Sequence, residues 1–205
     1  MPSRFGVGYP GGVNLTWDPV RMNVGSLWAG AFLDIKRHRA GSGGPLKPNG
    51  FASVDSAPGR PLARLATPTS AWPADEAGAG EYRFLGYSFD AQRRPTFRYR
   101  FGELAVSESF QPRGTVAAGD LRLTRILVFT TTGPTSPGLM FRVLRGADFT
   151  AQPGGYLLQK TVTVTTSGRA VMRPADPGQE VLLPVDFKEG CAQLEITYAW
   201  AQHHH

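Results

Sequence analysis

Histidine is the scarcest chemistry in this chain. Of its four histidines, three are the terminal His203, His204 and His205, which read as the remnant of an affinity tag over 202–205. Only His38 remains before them. A histidine metal cage, a His pair and a His-based catalytic triad are therefore excluded within one chain. Cysteine is as scarce. Cys191 alone forms no intrachain disulfide, supplies no Cys-x-x-Cys-His haem attachment and has no local histidine to activate its thiol. In Lys188-Glu189-Gly190-Cys191-Ala192, beside a strong strand, it reads as a small, partly buried residue. Lysine supplies four of the 22 cations, and the arginines that make up the rest are scattered without a basic block. Nucleic acid is thus not expected as a partner, although the formal charge is +6. No apolar run approaches the roughly 20 residues that span a bilayer, so membrane insertion is not expected, and neither a metal nor a cofactor is expected in this stretch of chain. The opening Met1-Pro2-Ser3 reads as an expression start, so a missing signal peptide carries no information about address.

What is abundant is punctuation: 25 glycines and 17 prolines, which favour many short strands over long helices. From Tyr82 onward apolar and polar residues alternate as in strands. Tyr82–Asp90 and Thr96–Phe101 form a hairpin around a five-residue turn, Ala91 to Pro95, followed by Leu104–Phe110. Leu121–Thr130 has Leu121, Leu123, Leu127 and Phe129 in phase, with Arg125 interrupting the stripe and reaching out at its end. Leu139–Leu144, Gln159–Thr166, Ala170–Arg173, Val181–Val185 and Gln193–Trp200 complete the series. Earlier in the chain, Arg4–Gly8, Val13–Asp18 and Asn23–Asp34 also read as strands. The expected fold is all-β: one large antiparallel two-sheet sandwich over 1–201, with supersandwich and jelly-roll variants both open. A Gly/Pro-rich loop is expected over about 36–80, with at most a short helical turn near Pro73–Ala79.

Three stretches resemble a known family when taken together. They are Gly6-Val7-Gly8-Tyr9-Pro10-Gly11-Gly12-Val13 with Trp17-Asp18, then Leu27 through Asp34, then Gly86-Tyr87-Ser88-Phe89-Asp90 through Gly102, carrying Arg94-Pro95-Thr96-Phe97-Arg98-Tyr99. Their order resembles an uncharacterised β domain of large exported proteins of planctomycetes and related bacteria, often accompanied by c-type cytochrome modules. The resemblance covers most of the chain. It implies a periplasmic or extracellular setting and a redox or cytochrome domain elsewhere in the parent protein. The hairpin style is also similar to galactose-mutarotase-like sandwiches, an analogy of fold alone.

The candidate site residues follow from chemistry. Trp28, Phe32 and Asp34 share one face if their segment is a strand, and an aromatic ring beside a carboxylate suits a sugar; the competing reading makes Trp28 and Phe32 core. Trp72 sits in a loop, as a binding platform or as a plug over the core edge, and Trp17 is read in the same way. Arg83, Arg98 and Arg100 line one hairpin face, suited to an acidic sugar, a sulfate or a partner's carboxylates; as a merely solvated face they would pair with Glu103 or Glu108. Asp34 and His38 are the only candidates for catalysis, and Asp34, Asp90, Glu103 and Glu108 the only acids for glycoside cleavage. The residues therefore favour binding over catalysis. The expectation is a non-catalytic carbohydrate-binding module. A docking domain for a redox or cytochrome module is the alternative, and a sugar-active enzyme the third reading.

Overall fold

The alternation of the second half of the chain becomes a wide sheet. The computed structural model describes residues 4–34, 47–134 and 137–201. Through these run β1 (Phe5–Gly8), β2 (Val13–Asp18), β3 (Asn23–Leu33), β4 (Pro48–Asp55), β5 (Leu62–Arg64), a 3-10 helix (Asp75–Glu81), β6 (Tyr82–Phe89), β7 (Pro95–Phe101), β8 (Leu104–Arg113) and β9 (Arg122–Thr130). There follow β10 (Leu139–Gly146), β11 (Phe149–Gln152), β12 (Gly155–Leu158), β13 (Val162–Thr166), β14 (Val171–Pro174), β15 (Gln179–Pro184) and β16 (Cys191–Trp200). An eight-stranded sheet has the order β11-β12-β13-β16-β9-β8-β7-β6, and two four-stranded sheets have the orders β1-β2-β3-β4 and β14-β15-β10-β5. Neighbouring strands pair antiparallel.

All three sheets feed one core. Leu15, Trp17 and Leu27 enter it from the first four-stranded sheet, Phe141 and Val181 from the second, and Leu127 and Ile196 from the wide one. The protein is thus an all-β, sandwich-like fold, with period-2 stripes as its cause. The last strand shows this best: Ala192, Leu194, Ile196, Tyr198 and Trp200 are buried, while Cys191 and Gln193 face out. That phase also corrects the reading of Cys191, which is exposed. Trp17 is core rather than platform, stacked on Phe97 with ring centroids 4.2 Å apart and planes within 1°.

The segment expected as a loop over about 36–80 carries β4 and β5, and the helical turn allowed near Pro73–Ala79 is the 3-10 helix Asp75–Glu81. Only Val54 of the eight residues of β4 is fully buried, so this strand has no stripe to display. β11 and β12 are too short to alternate, although Pro153-Gly154 makes the turn that joins them, with Gly154 at φ 81°.

The wide sheet holds a charge of each sign within its buried stripes. Leu104, Val106, Glu108 and Phe110 point inward from β8, and Leu123, Arg125, Leu127 and Phe129 from β9. Arg125 does not reach out as the stripe suggested. It is 0 % exposed, as is Glu108, and its Nε stands 2.7 Å from Glu108 Oε1. Arg125 Nη2 also donates to Asn23 Oδ1 at 3.0 Å, and its guanidinium lies 4.9 Å from the centre of the Phe141 ring. Asn23 in turn donates to the carbonyls of Ala57 and Gly59. Burial pushes the Glu108 carboxyl up, while the Arg125 guanidinium and the Trp17 indole pull it back.

Arg125→Met leaves a carboxylate buried without a countercharge. The expected cost is about 3–5 kcal/mol at pH 7, measured by urea unfolding. The penalty should shrink toward pH 4. Without Arg125 the Glu108 carboxyl loses the neighbour that pulls it back and is raised further than in the wild type, so the stability difference opens as the pH rises above the unfolded value of about 4.3. A penalty that is the same at pH 4 and pH 7 would contradict a buried ionised pair.

Candidate functional site

The outer face of the β14-β15-β10-β5 sheet carries a candidate site. On it Ala63, Leu65, Met140 and Leu182 make a small second core against which Trp72 packs. Register then sets a row of charges. Glu180 of β15 faces Arg173 of β14 on one side and Arg145 of β10 on the other. Glu180 is 3 % exposed. Its Oε1 accepts from Arg173 Nε at 2.7 Å and lies 2.6 Å from Arg173 Nη2. Its Oε2 accepts no hydrogen bond among the described residues and stands 3.7 Å from Arg142 Nη1.

A strap from Leu65 to Ala74 closes over this row. Arg173 Nη1 donates to the carbonyls of Pro68 and Ser70, and the Arg142 guanidinium lies 4.5 Å from the centre of the Trp72 ring. Arg142 Nη2 donates to Pro58 O at 2.6 Å. Burial, and then the nearby charge of Arg145, bring the Arg142 guanidinium down to about 10. Between strap and sheet is an open depression of about 390 Å³, lined by Trp72, Arg145, Arg173, Asp176 and Glu180 among others. An aromatic residue, an acidic residue and two arginines are thus fixed around one volume. That volume is in the range of small-molecule sites.

The structure separates the other candidates. Trp28 is 0 % exposed, and its Nε1 donates to the carbonyls of Ala31 and Phe32. Gly50 lets the neighbouring strand close over it, since a Cβ there would stand 2.8 Å from the indole and 1.9 Å from Ala29 O. Trp28 is therefore not a sugar platform: both its ring and its N–H are used internally. Phe32 stacks on it at 6.1 Å and remains 40 % exposed. Asp34 is half-buried just past β3, its N–H donating to Lys47 O. His38 lies outside the described residues. Asp90 caps the β6–β7 turn, where the Arg94 backbone N–H and guanidinium hold it below the ordinary carboxylate range.

Arg83, Arg98 and Arg100 do share one exposed face. Arg83 stands directly opposite Arg100, and Arg98 opposite Gly86. Glu108 is not their partner, because it faces the core. Among the described residues none of the three side chains has an ion pair or hydrogen bond. Like charges opposite each other on a sheet are destabilising.

Arg142, Arg145, Arg173 and Glu180 were not singled out from sequence. Their signal is a charge lodged in an apolar strand, as in Leu139-Met140-Phe141-Arg142-Val143-Leu144 and Gln179-Glu180-Val181-Leu182-Leu183. Arg125 and Glu108 carry the same signal.

Glu180→Gln should cost about 3 kcal/mol by leaving buried guanidinium groups without their countercharge, and should expose residues 66–74 to protease. Resistance equal to wild type would mean that the strap is held by other contacts. Arg100→Thr should raise stability by about 0.2–1 kcal/mol, measured by urea unfolding, because it removes a like-charge pair. A loss of stability would show that the arginine is structural. The chain matches no family model, no curated protein and no solved structure, so the site stands on its own geometry.

Proposed function

We propose that this chain is a non-catalytic, extracytoplasmic accessory module of a larger multidomain protein, and that it binds carbohydrate in the depression beside Trp72. The observation that carries this reading is the convergence of Trp72 with Glu180, Arg173 and Arg145 on one open volume. A sugar offers an apolar C–H face for a ring to cover and hydroxyls that both donate and accept. A carboxylate accepts from such hydroxyls and a planar guanidinium donates to them.

The site is held by strand register and by the Arg173 tether, so little has to be ordered when a ligand arrives. Asp90 and Glu108 are each committed to an arginine, which gives the sugar-active alternative no support from those acids. The docking alternative, with a redox or cytochrome domain as neighbour, draws its support from the unpaired hairpin arginines.

Calorimetry against plant and algal polysaccharides and their oligosaccharides tests the reading. The expected result is binding of at least one glycan, with a change in tryptophan emission, since Trp17, Trp28 and Trp200 are buried and Trp72 is not. Trp72→Ala should weaken binding by about tenfold or more, the loss of about 1.4 kcal/mol. No binding to any glycan, or equal binding by a folded Trp72→Ala protein, would overturn it.

A further inference from the structure

We propose that the outer face of the β6–β7 hairpin, with the free edge of β6, docks an extended acidic segment of a partner protein. The first observation is charge without countercharge. Arg94 at the hairpin turn holds Asp90, and Arg64 near its other end holds Glu81. Arg83, Arg98 and Arg100 between them hold nothing among the described residues, and two of them are forced side by side by register. An arrangement that costs stability in the free protein is relieved when carboxylates settle between the guanidinium groups.

The second observation is the strand beside them. β6 closes the wide sheet, with β7 on one side and no strand on the other among the described residues. Its exposed residues are unusual for an edge: Leu85 is 50 %, Tyr87 47 % and Phe89 61 % exposed. Edge strands that face only water tend to carry charge or proline to discourage pairing. Leu85 sits at the bulge between Phe84 and Gly86, and nothing lies within 4 Å of where a Gly86 Cβ would stand. The backbone there is open next to Arg98.

An apolar, hydrogen-bonding edge beside a cationic face fits a chain that alternates acidic and apolar side chains, one set meeting the arginines and the other meeting Leu85, Tyr87 or Phe89. A second copy of this chain does not fit, since it would bring arginine to arginine. A polyanionic sugar would use the arginines but leave the apolar edge in water. The inference stands apart from the Trp72 depression, on another sheet.

The probe is a fluorescein-labelled peptide of alternating glutamate and valine, followed by anisotropy with the full chain. Binding is expected at about 50 mM salt, weakening by about tenfold or more at about 300 mM. It should be lost in the Arg83→Thr, Arg98→Thr, Arg100→Thr triple variant, whose melting temperature stays equal or rises. Arg98→Glu alone should weaken it, and serine in place of valine in the peptide should weaken it as well. On binding, the backbone amides of 85–89 should gain protection from hydrogen exchange. No binding at low salt, equal affinity in the triple variant, or binding of heparin without binding of the peptide would overturn the proposal.

Discussion

One buried guanidinium joins the three sheets of this protein. Arg125 rises from the wide sheet, pairs with Glu108 on the adjacent strand, donates to Asn23 of the first four-stranded sheet and lies over Phe141 of the second. Asn23 extends the link to the Ala57 and Gly59 carbonyls, on the segment that leads from β4 to β5. Hydrophobic contact alone is non-directional and lets sheets slide over one another. A charge in the interior is tolerated only where its partners sit in place. The arginine therefore fixes how the sheets are set against each other, at a desolvation cost that the surrounding core has to offset.

The same device recurs on the outside of the β14-β15-β10-β5 sheet. There Glu180 is flanked in register by two arginines, and a third carries Trp72. The strap is held by charge-assisted hydrogen bonds to its carbonyls, and a shaped volume is left beneath it. The inner faces thus build the core, one outer face builds a pocket and the outer face of the β6–β7 hairpin presents unpaired charge. The parts most directed toward other molecules are the places where charges are held close by register.

Much of this architecture was legible because alternation is a direct imprint of a half-buried strand. From Tyr82 to Phe101 and from Gln193 to Trp200 the stripes map onto the pairings with shifts of one or two residues. β4 was not legible, since an edge strand with only Val54 deeply buried leaves no pattern. The site was legible in type but not in place. Trp28 beside Asp34 carried the right chemistry for a sugar, yet the chain curls back so that Ala31 and Phe32 occupy its indole N–H, and Gly50 lets a neighbouring strand cover the ring. Trp72 offered less in sequence, because its partners Arg142, Arg173 and Glu180 come from strands about 70 to 110 residues away. Only pairing register brings them together. The clearest unused signal was a lone charge within an apolar strand at Arg142 and Glu180, whereas the break at Arg125 was visible and its inward direction was not.

The measurement that bears most directly on the three-sheet link is a double-mutant cycle between Asn23 and Arg125, which belong to different sheets. If the guanidinium ties the sheets together, Asn23→Ala and Arg125→Met will be non-additive in urea unfolding, with a coupling of about 1 kcal/mol or more. Additive effects, with coupling near zero, would show that the sheets are positioned by apolar packing alone.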